Sequence, residues 1–359
     1  MSSRFLRALA IPIAAAALVA AACGGAATPS PTVQPSTGAT ATAPSGELPK
    51  PEVTTLRIGI STPNEPVQYA EKLADTLGIY QKYGFTSVTV TGFEGDGKAL
   101  QALIAGQLDF MVGGASTAIS SQTTDTPVKI IAMNSTKLTD GLWCGANIKT
   151  AADVKGKSVA ISTFGGTSHG SALLLLKGLN YTDKDATITP VGGQSARIAA
   201  LKGGSVGCAV VDMAEKDSMA SQGFNVLFDE TKSDLQWGRS GLMSTAAFLQ
   251  KNPNTALVVV AATLEAQQKM FTDPDNSAKE FAKFAQLKDD AALNAVKTFA
   301  TYGSRSMAFT EGALQLPQQV LATQNAAMGT VDLKKTYDLT LLSKLKDIGF
   351  NAKIGVPAS

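Results

Sequence analysis

Apolar and polar positions follow two rhythms along this chain, and twice they do so in the same order. Ala99-Leu100-Gln101-Ala102-Leu103-Ile104-Ala105-Gly106 sets apolar residues on one helical face and stops at a glycine. Gln107-Leu108-Asp109-Phe110-Met111-Val112 then reads as a short apolar strand. The stretch from Ala196 to Val211 repeats this pattern, with Leu201 and Gly204 aligned to Leu103 and Gly106 at a constant offset of 98 residues. Each copy ends in small or polar residues, Gly113-Gly114-Ala115-Ser116-Thr117 in one and Asp212 in the other. The pattern predicts duplicated α/β architecture, two open sheets whose strand-end loops make a cleft for a small ligand.

Around the first copy the chain predicts strand Thr55 to Ile60, a helix Val67 to Gly78 opened by Pro66, strand Ser87 to Thr91, a short helix from Ser116 and strand Val128 to Met133. Around the second it predicts strand Ser158 to Ile161, a glycine-rich loop Ser162 to Gly170, helix Ser171 to Gly178, and strands Ala186 to Thr189, Gly207 to Val211 and Asn225 to Phe228. Strands alternating with helices imply parallel sheets with right-handed crossovers. Beyond Gly241 the pattern becomes helical, beginning with a long helix after Asn252-Pro253.

The start of the chain is different. Arg4 and Arg7 precede an apolar run from Ala8 to Ala22, too short for a permanent membrane span and shaped like a secretory signal. It ends Leu18-Val19-Ala20-Ala21-Ala22-Cys23-Gly24-Gly25, which resembles the lipobox of bacterial lipoproteins and departs from it in carrying Ala20 where Leu is preferred. That resemblance implies removal of residues 1–22 and a lipid on Cys23. From Gly24 to Val53 the chain is Ala, Thr, Pro, Ser and Gly with little apolar bulk, so residues 23–53 are expected to be a disordered tether.

Without Arg4 and Arg7, 29 basic residues face 29 acidic ones. Neither a basic stripe nor a polybasic patch appears, which argues against nucleic acid as a partner. With 44% hydrophobic and 17% charged residues, the part after Val53 has length and apolar content for two domains. Cys144 and Cys208 fall in strand-like surroundings that need not approach each other, so two buried thiols are expected, pairing being the alternative that an oxidising compartment allows. One histidine and no CxxC spacing give no metal site, and nothing calls for a cofactor.

Residues 54 to about 350 resemble the solute-binding proteins of bacterial ABC importers, in the family that serves nitrate, sulfonates such as taurine, bicarbonate and thiamine-precursor pyrimidines. The segments that carry the likeness are Leu56-Arg57-Ile58-Gly59, Leu77-Gly78-Ile79-Tyr80-Gln81-Lys82-Tyr83-Gly84, Ala102 to Asp109, Ala152-Asp153-Val154-Lys155-Gly156-Lys157-Ser158-Val159-Ala160 and Phe248-Leu249-Gln250-Lys251-Asn252-Pro253. The resemblance implies a two-lobed α/β periplasmic-binding fold with C-terminal helices and two hinge crossings, placed near Leu142 to Ala146 and Leu242 to Ala246. Lobe 1 would hold 54–141 and 241–359, and lobe 2 would hold 142–240. It also implies a monomeric, lipid-anchored, extracytoplasmic receptor that delivers a small polar molecule to a permease. A receptor feeding a membrane sensor is an alternative. The thiamine-pyrimidine synthases share the fold, but their cysteine cluster is missing here and no Ser-His-Asp arrangement replaces it, so no enzyme is expected.

Candidate ligand contacts lie at strand ends. Asn64 follows the first strand. Gly114, Ser116 and Thr117 open a helix, where free N–H groups and hydroxyls suit an oxyanion or carboxylate, Ser116 serving either as contact or as N-cap. Thr163, Phe164, Thr167, Ser168 and His169 lie in the glycine-rich loop before an apolar helix, with Thr167 and Ser168 the strongest candidates. Asp212 is either a pocket residue suited to an amine or heterocycle or a helix cap. Phe164 and Trp237 could stack on a planar ligand, core packing being the commoner fate of such rings. Arg197, Lys98 and Arg239 are expected to be solvated, which leaves the ligand's charge open.

Overall fold

The computed structural model describes residues 45–357. The signal segment, Cys23 and the tether up to residue 44 lie outside the described residues. The elements run β1 (Thr55–Ile60), α1 (Ala70–Thr76), α2 (Ile79–Lys82), β2 (Ser87–Gly92), α3 (Asp96–Ile104), β3 (Phe110–Gly113), α4 (Ala115–Ser121), β4 (Val128–Lys137) and β5 (Asp140–Cys144). Next come α5 (Ala151–Val154), β6 (Ser158–Ile161), α6 (Thr167–Gly178), β7 (Thr187–Pro190), α7 (Gln194–Lys202), β8 (Cys208–Asp212), α8 (Lys216–Ser221), β9 (Asn225–Asp229) and β10 (Gln236–Thr245). The helical remainder is α9 (Ala246–Lys251), α10 (Pro253–Thr272), α11 (Pro274–Ala285), α12 (Asp289–Tyr302), α13 (Gly312–Gln324), α14 (Ala326–Gly329), α15 (Thr340–Asp347) and α16 (Phe350–Lys353).

Two five-stranded sheets result, ordered β2-β1-β3-β10-β4 and β7-β6-β8-β5-β9. The orders are equivalent: in each, one strand (β1 or β6) is flanked by two parallel neighbours, and an antiparallel strand (β10 or β5) joins the third to an outer one. The offset of 98 carries the bounds of α3 onto those of α7, and Phe110 at the start of β3 onto Cys208 at the start of β8.

The chain passes to the second sheet at Leu138-Thr139 and returns between β9 and β10, before Gln236. Both crossings come earlier than the expected Leu142–Ala146 and Leu242–Ala246. Leu142-Trp143-Cys144 is a strand buried at every position, and Leu242 continues β10. Strands covered on both faces lose their polar alternation, so periodicity alone does not distinguish them from a buried connection. The same burial brings the two cysteines together: Cys144 is in register with Cys208 across β5 and β8, and they form a disulfide at a Cα separation of 4.0 Å. The expectation of separate thiols was wrong because the two strands that carry them are neighbours in the second sheet, an adjacency set by the pairing of β5 with β8.

The expected tether ends sooner than residue 53. Gly46 donates its N–H to the Ile348 carbonyl at 2.7 Å, and Leu48 packs on the first lobe's core. Glu52 accepts from the Asn254 and Thr255 amides at 2.8 and 2.6 Å. A carboxylate placed on the free N–H groups at the start of α10 both satisfies donors and suits the helix dipole. α10 starts with Pro253 at its first position and runs through an unbroken buried stretch from Leu257 to Leu264, as a helix surrounded by core must. It packs against α1, α11 and α15, so the C-terminal helices complete the first lobe's interior.

Candidate functional site

The strand ends of the two sheets meet in a buried, charged seam. Arg239, near the start of β10, directs Nη2 at three carboxylates: Glu65 Oε2 at 2.6 Å, Asp140 Oδ1 at 3.2 Å and Asp212 Oδ2 at 3.4 Å. Glu65 follows β1, Asp140 opens β5 and Asp212 closes β8, so one guanidinium ties the first lobe to the second. Arg197, in the first turn of α7, places Nη2 3.6 Å from Glu65 Oε1. These side chains are all 3% exposed or less. Supporting bonds hold the acids in place. Asp212 accepts from the Thr139 hydroxyl at 2.5 Å and the Ala214 amide at 2.8 Å, while its own N–H donates to Gln194 Oε1 at 2.9 Å. The Ser171 hydroxyl lies 2.6 Å from Asp140 Oδ2 and 3.2 Å from Glu230 Oε2.

A second set of interlobe bonds runs beside the first. The Thr167 amide at the start of α6 donates to Asp96 Oδ2 of α3 at 2.8 Å, and the Gly97 amide donates to Thr163 Oγ1 at 3.1 Å. Asn64 Nδ2 donates to Ser195 Oγ at 3.3 Å. Gly114 is required where it stands, since a Cβ there would lie 1.7 Å from Thr167 Oγ1.

Burial governs the electrostatics. It raises the Asp212 carboxyl well above the usual carboxylate range, with Arg239 opposing, and raises Glu230 likewise. Burial alone would lower the Arg239 guanidinium, but Asp140, Glu65 and Asp212 outweigh it and hold the charge more firmly than in water. Burial lowers His169, whose ring is neutral at pH 7 and accepts from the Gly165 amide through Nδ1 at 3.1 Å.

Of the residues singled out from sequence, Thr163, Thr167 and Asp212 take part in these contacts, and Asn64 borders the cleft mouth. Ser168 accepts from the Ser162 amide at 2.8 Å and lines the deep cavity. Gly114 is a close-approach position. Ser116 and Thr117 are buried in α4, and neither hydroxyl has a hydrogen-bond partner among the described residues. Ser116 is not a side-chain N-cap. Helix α6 begins at Thr167, four residues before the expected start, which puts Thr167, Ser168 and His169 in its first turn. Phe164 is 58% exposed, meets the His169 ring edge-on at 5.3 Å, and lines a surface depression with Asp183 and Lys184. Trp237 is fully buried with Leu138, Leu174 and Val320, and its Nε1 has no partner among the described residues.

Glu65, Asp140, Glu230, Arg197 and Arg239 were missed or expected in solvent. Arg197 follows Gly193 at a helix start, and Arg239 sits two residues from the buried Trp237; position gave a hint that charge overrode. Lys98 behaves as expected, exposed and paired with Glu94 at 3.0 Å.

Thr62, Glu65, Asp96, Asp140, Thr167 and Arg239 are among the residues lining a cavity of about 10 Å³, room for roughly one water. Outside it, between 212–221 and the segment 286–288 with helix α12, lies a groove of about 610 Å³. A neighbouring pocket of about 390 Å³ shares Asp212, Ala214, Asp217 and Asn294 with it.

Residues 70–277, more than half of the chain, match the family described as NMT1/THI5 like. The chain belongs to the NMT1/THI5-like family. No curated protein matches the sequence. Among solved structures, this NMT1/THI5-like chain is similar to a protein from Bordetella bronchiseptica RB50, with a TM-score of 0.73 and 20% identity over 86% of this chain and 100% of that one. It is similar to the periplasmic aliphatic sulphonate binding protein SsuA from Escherichia coli, with a TM-score of 0.61 and 22% identity over 79% and 92% of the two chains. The periplasmic nitrate-binding protein NrtA from Synechocystis PCC 6803 gives a TM-score of 0.68 and 17% identity over 87% and 93%. At these identities the likeness is one of fold, the two-lobed α/β periplasmic-binding fold with C-terminal helices.

Proposed function

We propose that this NMT1/THI5-like protein is the solute-binding component of an ABC importer, held at the outer face of a membrane by a lipid on Cys23. It captures a small polar organic molecule, a sulfonate, a pyrimidine or a relative of these, between its lobes and hands it unchanged to a permease. The observation that carries the reading is the buried interlobe seam of Arg197, Arg239, Glu65, Asp140 and Asp212. Burying that much charge is costly, and a ligand that joins both lobes stabilises the closed form by its differential affinity. The solute-binding names of the two similar periplasmic proteins support it.

A thermal-shift screen of sulfonates, pyrimidines and small carboxylates tests the class. At 100 times its Kd a ligand selective for the folded form adds about 2.7 kcal/mol of stability. Failure of every compound to raise the melting temperature overturns the reading. Cys23→Ser should release the protein from membranes of its host, and retention there would refute the anchor.

A further inference from the structure

We propose that α3 and α6 cap each other across the cleft, and that this reciprocal capping is a latch that holds the lobes together by the chain's own bonds until it is broken for a solute to enter. Its part in solute entry rests on the reading of the cleft as a solute site. Each helix begins without a cap of its own. The N-cap positions are Gly95 before the 9-residue α3 and Gly166 before the 12-residue α6, so neither offers a side-chain acceptor to the free amides that follow. The acceptors come from the opposite lobe. Asp96 Oδ2 takes the Thr167 amide of α6 at 2.8 Å, and Thr163 Oγ1 takes the Gly97 amide of α3 at 3.1 Å. Asp96 thus starts one helix and caps the other, placing its carboxylate where the α6 dipole favours negative charge.

The facing surfaces are shaped for this contact. Gly97 weakens α3 as a helix, yet a Cβ there would lie 3.0 Å from Thr163 Oγ1, and one on Gly114 would lie 1.7 Å from Thr167 Oγ1. The first lobe lacks side chains where the second arrives. Arg239 and Asp140 stand beside the crossings, at the starts of β10 and β5, whereas Asp96, Gly97, Thr163 and Thr167 belong to neither crossing. Their bonds form only when the lobes meet. Latch and solute seat also share residues, since Asp96 and Thr167 line the cavity of about 10 Å³, which admits roughly one water. An organic solute fits there only after the two helix starts have parted. Apparent affinity for any solute then falls with the fraction of molecules that are unlatched.

The test uses the full chain, unfolded in urea and refolded by dialysis so that no host solute accompanies it, beside Asp96→Ala, Thr163→Val and the wedge Gly114→Val. Small-angle scattering reads the separation of the lobes, and hydrogen exchange reads the Thr167 amide. The wild type should be more compact than Gly114→Val, and the radius of gyration of Asp96→Ala should move towards that of the wedge. Thr163→Val leaves Asp96 in place, yet it should speed exchange of the Thr167 amide about fivefold, the effect of one lost cap on the opening equilibrium. This arm needs neither of the other variants to fold. Equal radii for wild type and Gly114→Val, an unchanged radius in Asp96→Ala, or Thr167 exchange indifferent to Thr163→Val overturns the latch. Each of these outcomes leaves the solute-binding reading standing, because that reading is tested by the thermal-shift screen alone.

Discussion

The α3–β3 unit of the first lobe and the α7–β8 unit of the second are the same backbone with different chemistry. The offset of 98 places Asp96 on Gln194, Ala99 on Arg197 and Gly114 on Asp212. Asp96 reaches across the cleft to the Thr167 amide, whereas Gln194 stays in its own lobe and accepts from the Asp212 amide. Ala99 is packed in the core, while Arg197 turns to Glu65. Gly114 removes a side chain so that Thr167 can approach, and Asp212 supplies a carboxylate to Arg239. One scaffold therefore serves two tasks: the first lobe's strand end makes room, and the second's makes charge. Duplication set where residues point, and side-chain choice set the chemistry of the seam.

The comparison breaks most readily at Gly114. Gly114→Val puts a branched side chain where Thr167 Oγ1 stands, so the lobes cannot meet as they do here. A radius of gyration larger than the wild type's by small-angle scattering is expected, and equal radii would remove the claim that this strand end exists to admit the other lobe. Next in size is Arg239→Met. Removing one partner from a buried ion cluster costs roughly 3–5 kcal/mol. Urea unfolding at pH 7 measures it, and a loss below about 1 kcal/mol would mean that Arg197 alone neutralises the seam.

The duplicated frame was legible because amphipathic periodicity and a stop glycine are local properties. Leu103 and Gly106 announce their helix and its end without help from the rest of the chain. The charged seam was not legible. Arg197 and Arg239 look like solvated residues in sequence, and only the closing of one lobe on the other removes their water. The place of β5 was misjudged for a related reason: Leu142 to Cys144, covered on both faces, was taken for a crossing between the lobes, and its neighbour Cys208 became visible only with the pairing. Trp237, an aromatic near polar residues in sequence, lies among Leu138, Leu174 and Val320, the core packing that is the commoner fate of such a ring.

A pH titration sharpens the contrast between Gly114 and Asp212, since only the second can titrate. Burial raises the Asp212 carboxyl, so the folded chain keeps a proton that the unfolded chain has already released. Its contribution to stability is therefore full below the ordinary carboxylate range and is lost as pH rises from about 4 towards neutrality. Asp212→Asn should flatten that fall, by at most about 1.4 kcal/mol per pH unit for one proton. His169 acts in the opposite sense: burial lowers it, so its protonation weakens the fold as pH drops below about 6.5. The effect of Asp212→Asn is thus read from the difference between variant and wild-type urea midpoints, and parallel curves from pH 4 to 8 would contradict the raised carboxyl.

The smallest expected effect tests the equivalence itself. Gly106 and Gly204 end the paired helices at φ of 69° and 70°, in the left-handed region, and a Cβ at either would meet nothing within 4 Å. Replacement by alanine therefore carries a backbone cost and no clash, roughly 1 kcal/mol at each site. If the two units are one backbone used twice, Gly106→Ala and Gly204→Ala shift the urea midpoint by equal free energies. Unequal shifts would locate a difference in the helix ends themselves and move the asymmetry of the cleft from side chains into the scaffold.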